Sequence, residues 1–143
     1  MPPSKDMIGR QLSTGSAKVD AEHVAAFAKA LRDPNPAYQS PGATTAPVTY
    51  PIAFMSQAMA GGMNTFLELG LNFMTLVHGE QEFEYLRPVR IGETLHLTGR
   101  VGDIYEKTGS SGTLDFVVLE TEAKDDEGKP VFYSRNTLIS KRM

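Results

Sequence analysis

One change of hydrophobic period, near Leu76, constrains this chain more than anything else in it. Before the change, Pro51 to Leu69 is apolar on most faces, as a helix buried all round must be. Pro51 suits a first helical turn and Gly70 a stop. After the change, Val77 to Leu86, Glu93 to Glu106, Gly112 to Ala123 and Lys129 to Ile139 alternate with period two and are expected to be strands. Turn residues separate them at Arg90-Ile91-Gly92, at residues 108–112 and at Asp125-Asp126-Glu127-Gly128, so consecutive antiparallel hairpins are the economical reading. A further strand is expected between Ile8 and Ser16.

A long apolar helix followed by a run of long strands has one simple packing solution. The chain is expected to be α+β, with an antiparallel sheet of about five strands wrapped around the helix, which is the hotdog arrangement. Such a sheet leaves edges to be covered by a second copy or a related partner, so a stable monomer is not expected. Ahead of the central helix, Val24, Phe27 and Leu31 recur at helical spacing behind Asp20, a good N-cap, and predict a short helix over Val19 to Leu31. That helix ends at Asp33-Pro34-Asn35-Pro36, because each proline turns the preceding residue out of the α region. Residues 37–47 are a loop.

With 143 residues the chain is expected to form one domain, 1–143. A net charge of −3, with its 14 Lys and Arg scattered, gives no basic stripe for nucleic acid. The absence of Cys excludes disulfides and thiolate zinc sites; no metal is expected. No stretch reaches the ~20 apolar residues of a membrane span, and Met1 to Leu12 lacks the apolar core of a signal peptide. A cytoplasmic location is the expectation.

The segment Phe27-Ala28-Lys29-Ala30-Leu31-Arg32-Asp33-Pro34-Asn35-Pro36-Ala37-Tyr38 resembles the hydratase motif of the MaoC-like family, whose pattern is Gly-Asp-x-Asn-Pro-x-His. Residues 77–95 resemble the strand after the central helix in N-terminal-type MaoC dehydratases, and Asp103-Ile104-Tyr105-Glu106-Lys107 and residues 134–139 fit the same subgroup. The resemblance covers nearly the whole chain. It implies a hotdog protein acting on trans-2-enoyl or (R)-3-hydroxyacyl thioesters, with CoA or an acyl-carrier thioester as substrate and no cofactor.

In that family Asp and His share one water, which is added across the double bond or removed; a base and an acid must both reach it. Here Asp33 and Asn35 stand at the family positions, while Tyr38 replaces the His, and an ordinary phenol titrates near ~10. The family's His-Gly at the start of the central helix, whose N–H groups polarise the thioester carbonyl, is replaced by Val48-Thr49-Tyr50-Pro51, and Pro51 has no N–H. The resemblance therefore implies the subunit of a hetero-dimer or hetero-tetramer that shapes the acyl channel beside a catalytic MaoC-like partner. Candidate catalytic residues are Asp33, Asn35 and His78; candidate substrate contacts are Tyr38, Tyr50, Met55, Met59 and Arg87.

Each has a plainer reading. Asp-Pro-Asn-Pro makes a good polar turn without catalysis. A lone His at a strand start is usually a hydrogen-bonded structural residue. Met55, Met59 and Met63 suit the core of a helix as well as a pliable tunnel, and Arg87, Arg90 and Arg135 suit solvent as well as phosphate. Three other functions stay open: a homodimeric hydratase pairing Asp33 with His78 or Tyr38, a binding or assembly module without turnover, and a thioesterase, for which the central helix offers only Glu68 as a carboxylate.

Overall fold

The structure, a computed structural model, describes residues 1–39, 41–53 and 62–142. Five antiparallel strands make one sheet: β1 (Gln11–Lys18), β2 (Val77–Tyr85), β3 (Thr94–Gly109), β4 (Gly112–Lys124) and β5 (Pro130–Lys141). Helix α1 (Ala21–Ala30) follows β1; residues 51–53 are helical, and α2 (Gly62–Glu68) precedes β2. This is the α+β hotdog arrangement expected from the period change. The expected helix from Pro51 to Leu69 is helical at both described ends, and its residues 54–61 lie outside the described residues.

The strand order β1-β3-β4-β5-β2 corrects the expected run of hairpins. β3 pairs with β4 and β4 with β5 as successive hairpins, but β2 pairs with β5, in a register that sets Phe83 opposite Ser134 and Tyr85 opposite Phe132. The Arg90-Ile91-Gly92 turn therefore begins a crossing to β3 rather than closing a hairpin. β1 covers the far side of β3, with Gly15 opposite Leu97.

The inner face holds two apolar clusters. One gathers Val19, Val24, Tyr50, Leu95, Leu97, Ala123, Val131 and Phe132; the other gathers Leu69, Leu71, Val101, Ile104, Val117, Leu119 and Leu138. Between them one register row runs Ser13, Gly99, Thr121, Ser134, all small and buried. Asp20 caps α1 by accepting from the His23 N–H at 3.0 Å. Val24 and Ala28 are buried and Phe27 half-buried, while Leu31 lies past the last turn and is exposed, contrary to its place in the sequence pattern.

Both helices end in the same Schellman hydrogen-bond pair. In α2 the Gly70 N–H donates to Leu67 and the Leu71 N–H to Phe66, with Gly70 at φ 74°. In α1 the Arg32 N–H donates to Lys29 and the Asp33 N–H to Ala28, with Arg32 at φ 56°. A side chain in the left-handed region is strained where glycine is not. Arg32→Gly is therefore expected to stabilise the fold by about 0.5–1 kcal/mol after the entropy of the freer unfolded chain is subtracted. Thermal unfolding should show a melting point raised by a few degrees.

Candidate functional site

Positions 33–39 form a compact loop at the end of α1. The Asp33 carboxylate accepts from the Asn35 N–H at 3.0 Å, and the Asn35 side-chain carbonyl accepts from the Ala37 N–H at 3.0 Å. These are two successive Asx turns, built locally because proline at 34 and 36 leaves Asn35 and Ala37 as the N–H donors. Gln39 donates through Nε2 to the Asp33 carbonyl at 3.3 Å. Tyr38, at the motif's His position, is half-buried and packs its ring against the first apolar cluster. The loop thus holds Asp33, Asn35 and Tyr38 together, with both motif side-chain oxygens that are hydrogen-bonded serving the loop's own backbone.

His78 sits elsewhere, near the start of β2 beside the irregularity between His78 and Glu80. Its Nε2 lies 3.0 Å from the Glu80 carbonyl, which can only accept, so Nε2 is the donor of that bond. It lines a shallow depression with Thr49, Ile52, Gln81 and Phe83, whereas Asp33 lines a different one with Ala25, Lys29 and Gln39. The geometry does not bring His78 to Asp33.

Tyr50, expected to contact substrate, is 1% exposed and stands edge-on to Phe27, with ring centroids 5.5 Å apart. Burial and the nearby Asp20 raise its phenol above the usual range. Tyr85 donates its hydroxyl to the Val48 carbonyl, and burial pushes its phenol up to about 12. That bond fixes the segment before Pro51 to β2. Pro51 is fully buried at the head of the helical residues 51–53. Met55 and Met59 lie outside the described residues, as does the side chain of Met63.

Arg87, a candidate contact for phosphate as well as for solvent, is engaged within the chain itself. One terminal nitrogen meets Glu93 at 3.0 Å and the Pro88 carbonyl at 3.0 Å; the other meets Glu93 at 2.7 Å and Asp125 at 3.3 Å. Hydrogen bonding to Glu93 raises its pKa further. Glu93 also accepts from the Arg90 N–H at 2.7 Å, so the group ties the crossing after β2 to the β4–β5 turn. Arg90 and Arg135 are exposed. Glu68, the one carboxylate in the expected helix from Pro51 to Leu69, is exposed and pairs with Arg10 at 3.3 Å.

Two features escaped sequence reading. Glu93 and Asp125 are 32 positions apart, and no local pattern links them. Gln81 donates to Ser134 Oγ at 2.8 Å, and its Oε1 is buried without a hydrogen-bond partner among the described residues. The signal for Gln81 was present: it is a polar residue at an inward position of a strand whose inward neighbours are Phe83 and Tyr85.

Asp125 supplies a pH prediction. The Lys129 N–H holds its carboxyl below the usual range, and the Arg87 guanidinium and the Glu127 N–H add to the effect. A depressed carboxyl stabilises the fold fully above its unfolded value of about 3.9, and that contribution is lost as pH falls through the lower folded value. Urea unfolding is expected to show stability declining below about pH 4, and Asp125→Asn should make that acid limb shallower.

Comparison with known proteins now gives the family. A family profile described as FAS1-like, dehydratase domain region, matches residues 6–134. The chain belongs to this FAS1-like dehydratase family. A UPF0336 protein of Streptomyces avermitilis is 32% identical over 146 residues, covering 96% of this chain and 94% of the relative. Among solved structures, the C-terminally truncated HadBC (3R-hydroxyacyl-ACP dehydratase) complex of Mycobacterium tuberculosis aligns with a TM-score of 0.74 at 22% identity, over 92% of this chain and 96% of that one. The MaoC-like dehydratase of Rhodospirillum rubrum aligns at 0.66 and 19%, over 95% and 93%. These structures show that this FAS1-like dehydratase family member has the hotdog fold of the MaoC-like dehydratases. No helix among the described residues is long and apolar enough to cross a membrane.

Proposed function

We propose that this member of the dehydratase family is the channel-shaping subunit of a cytoplasmic (R)-specific enoyl-thioester hydratase, or 3-hydroxyacyl-thioester dehydratase, working beside a partner with a complete Asp/His pair. The observation that carries the reading is the motif loop. On a hydro-lyase fold, Asp33 and Asn35 bond to their own backbone and Tyr38 takes the place of the proton-transferring His. Pro51 supports it, since the residue that heads the helical turn has no N–H to polarise a carbonyl. That a solved relative of this fold is the HadBC complex agrees with a two-chain enzyme.

In this reading the chain contributes shape and binding, and the partner contributes the proton transfers. The depression formed by Thr49, Ile52, His78, Gln81 and Phe83 at β2 is the candidate wall of the acyl-thioester channel. CoA or carrier-protein thioester is the substrate, and water addition between two side chains needs no cofactor. The test is co-expression with a neighbouring-gene product carrying Gly-Asp-x-Asn-Pro-x-His. Crotonyl-CoA hydration should appear in the co-purified pair and be nearly absent from this chain alone.

A further inference from the structure

β2 ends the sheet order and pairs on one side only, with β5. Its other edge presents unpaired backbone groups, the usual template for another chain. Exposed apolar residues border that edge: Val77 and Leu86 at the ends of the strand, Val48 under the Tyr85 hydroxyl, and Ile52 in the depression beside His78 and Phe83. The opposite edge of the sheet, β1, has none of the large exposed apolar residues and only Lys18 as a charged one. An open backbone edge with an apolar border is the anatomy of a strand-pairing interface.

Charge decides what fits there. On β2 the inward positions are Gln81, Phe83 and Tyr85, while Glu80, Glu82 and Glu84 alternate with them and are exposed on the outer face. None of the three glutamates is in an ion pair among the described residues. The nearest cation across the strand pair is Arg135, opposite Glu82, while Glu80 and Glu84 face Thr137 and Tyr133. On the same face, Arg100 pairs with Glu120 and Lys124 with Glu122. A two-fold pairing of β2 with its own copy runs antiparallel and keeps both inner faces on one side. Even positions then meet even positions; in the register centred on Glu82, Glu82 faces the second copy's Glu82 and Glu80 faces its Glu84. Slipping the register by one residue to avoid this would turn Phe83 and Tyr85 outward.

We propose that the β2 edge selects a partner chain of different sequence, whose edge strand carries Lys or Arg at alternate outward positions, and disfavours a second copy of this chain. Like charges directly opposite destabilise a strand pair and opposite charges stabilise it, so one row of side chains both rejects self-pairing and specifies the partner. The proposal rests on the two-subunit reading only in expecting an unlike partner; its test needs no activity.

The test uses the full chain and two variants in sedimentation equilibrium at about 0.1 M and about 1 M salt, where the Debye length is about 10 Å and about 3 Å. The triple variant E80K/E82K/E84K mixed with the unaltered protein is expected to give a 1:1 complex, bound at least about tenfold more tightly than the unaltered protein binds itself. High salt should weaken that complex. The charge-free variant E80Q/E82Q/E84Q, which keeps side-chain size and so guards against misfolding of the lysine variant, should self-associate about tenfold more tightly than the unaltered protein. If the mixture shows no association beyond its components, or the glutamine variant self-associates no better than the unaltered protein, the proposal is overturned. A chain that hydrated enoyl thioesters alone would instead overturn the two-subunit reading and leave this charge rule standing.

Discussion

Given crotonyl-CoA, the isolated chain is expected to add water about 10²–10⁴-fold more slowly than the same chain paired with a subunit carrying an intact Asp/His motif, because positioned proton transfer typically contributes that factor. Tyr38 occupies the His position and packs against the first apolar cluster. Asp33 accepts the Asn35 N–H, so its carboxylate is already a structural acceptor within its own loop. In the reconstituted pair Asp33→Ala should therefore change the rate by less than about threefold while costing about 1 kcal/mol of stability through the lost turn bond. Tyr38→His alone should not restore the isolated chain, since Pro51 still offers no N–H to polarise the thioester carbonyl. If the pure protein ran at ordinary enzyme rates and Asp33→Ala abolished them, the homodimeric reading would replace this one. His78→Ala and Tyr38→Phe would then identify the acid.

Phe132→Ala is expected to cost about 3–5 kcal/mol, a large part of the 5–15 kcal/mol by which domains are typically stable. Phe132 is fully buried at the centre of the first cluster. It meets Phe83 edge-on at 6.0 Å and Tyr85 at 5.6 Å. Truncation removes both ring contacts and leaves a cavity where β2 crosses onto β5, so relaxation is limited by two strands at once. Thermal melting should show a loss of roughly 10 °C for a chain of this length. A loss of only a degree or two would mean that the β2–β5 contact contributes little to the fold. Because Tyr85 holds the Val48 carbonyl, the same variant should also loosen the segment leading to Pro51, which protection of the Val48 to Ala53 amides in hydrogen exchange would report.

Several features were legible because their physics is local. Asp20 caps α1 within three residues, Gly70 ends α2 through hydrogen bonds to Leu67 and Phe66, and the period-two runs from Val77 onward became strands within one to three residues of the expected bounds. A hydrophobic period fixes which way side chains point, and a cap or stop is decided within one helical turn. The Asx turns of Asp33 and Asn35 belong to the same class, which is why the polar-turn reading of that segment was available beside the catalytic one.

What only the tertiary structure decided is long-range. The sequence offered a turn after β2 and no reason against a hairpin there; β2 instead pairs with β5, and β3 is claimed by β1 and β4. Strand order follows from which inner faces close the two apolar clusters, a condition spread over the whole chain rather than written at any turn. Arg87 shows the same limit at the level of one residue. Its composition as a cation near a predicted strand suits phosphate, yet Asp125, 38 positions away, completes its ring of acceptors. Side-chain type and spacing determined what groups the loop and strands carry, while packing determined which of those groups remain free to meet a substrate or a partner. Hydrogen bonds and ion pairs between distant segments form only after the sheet has brought them together, and no local period encodes that meeting.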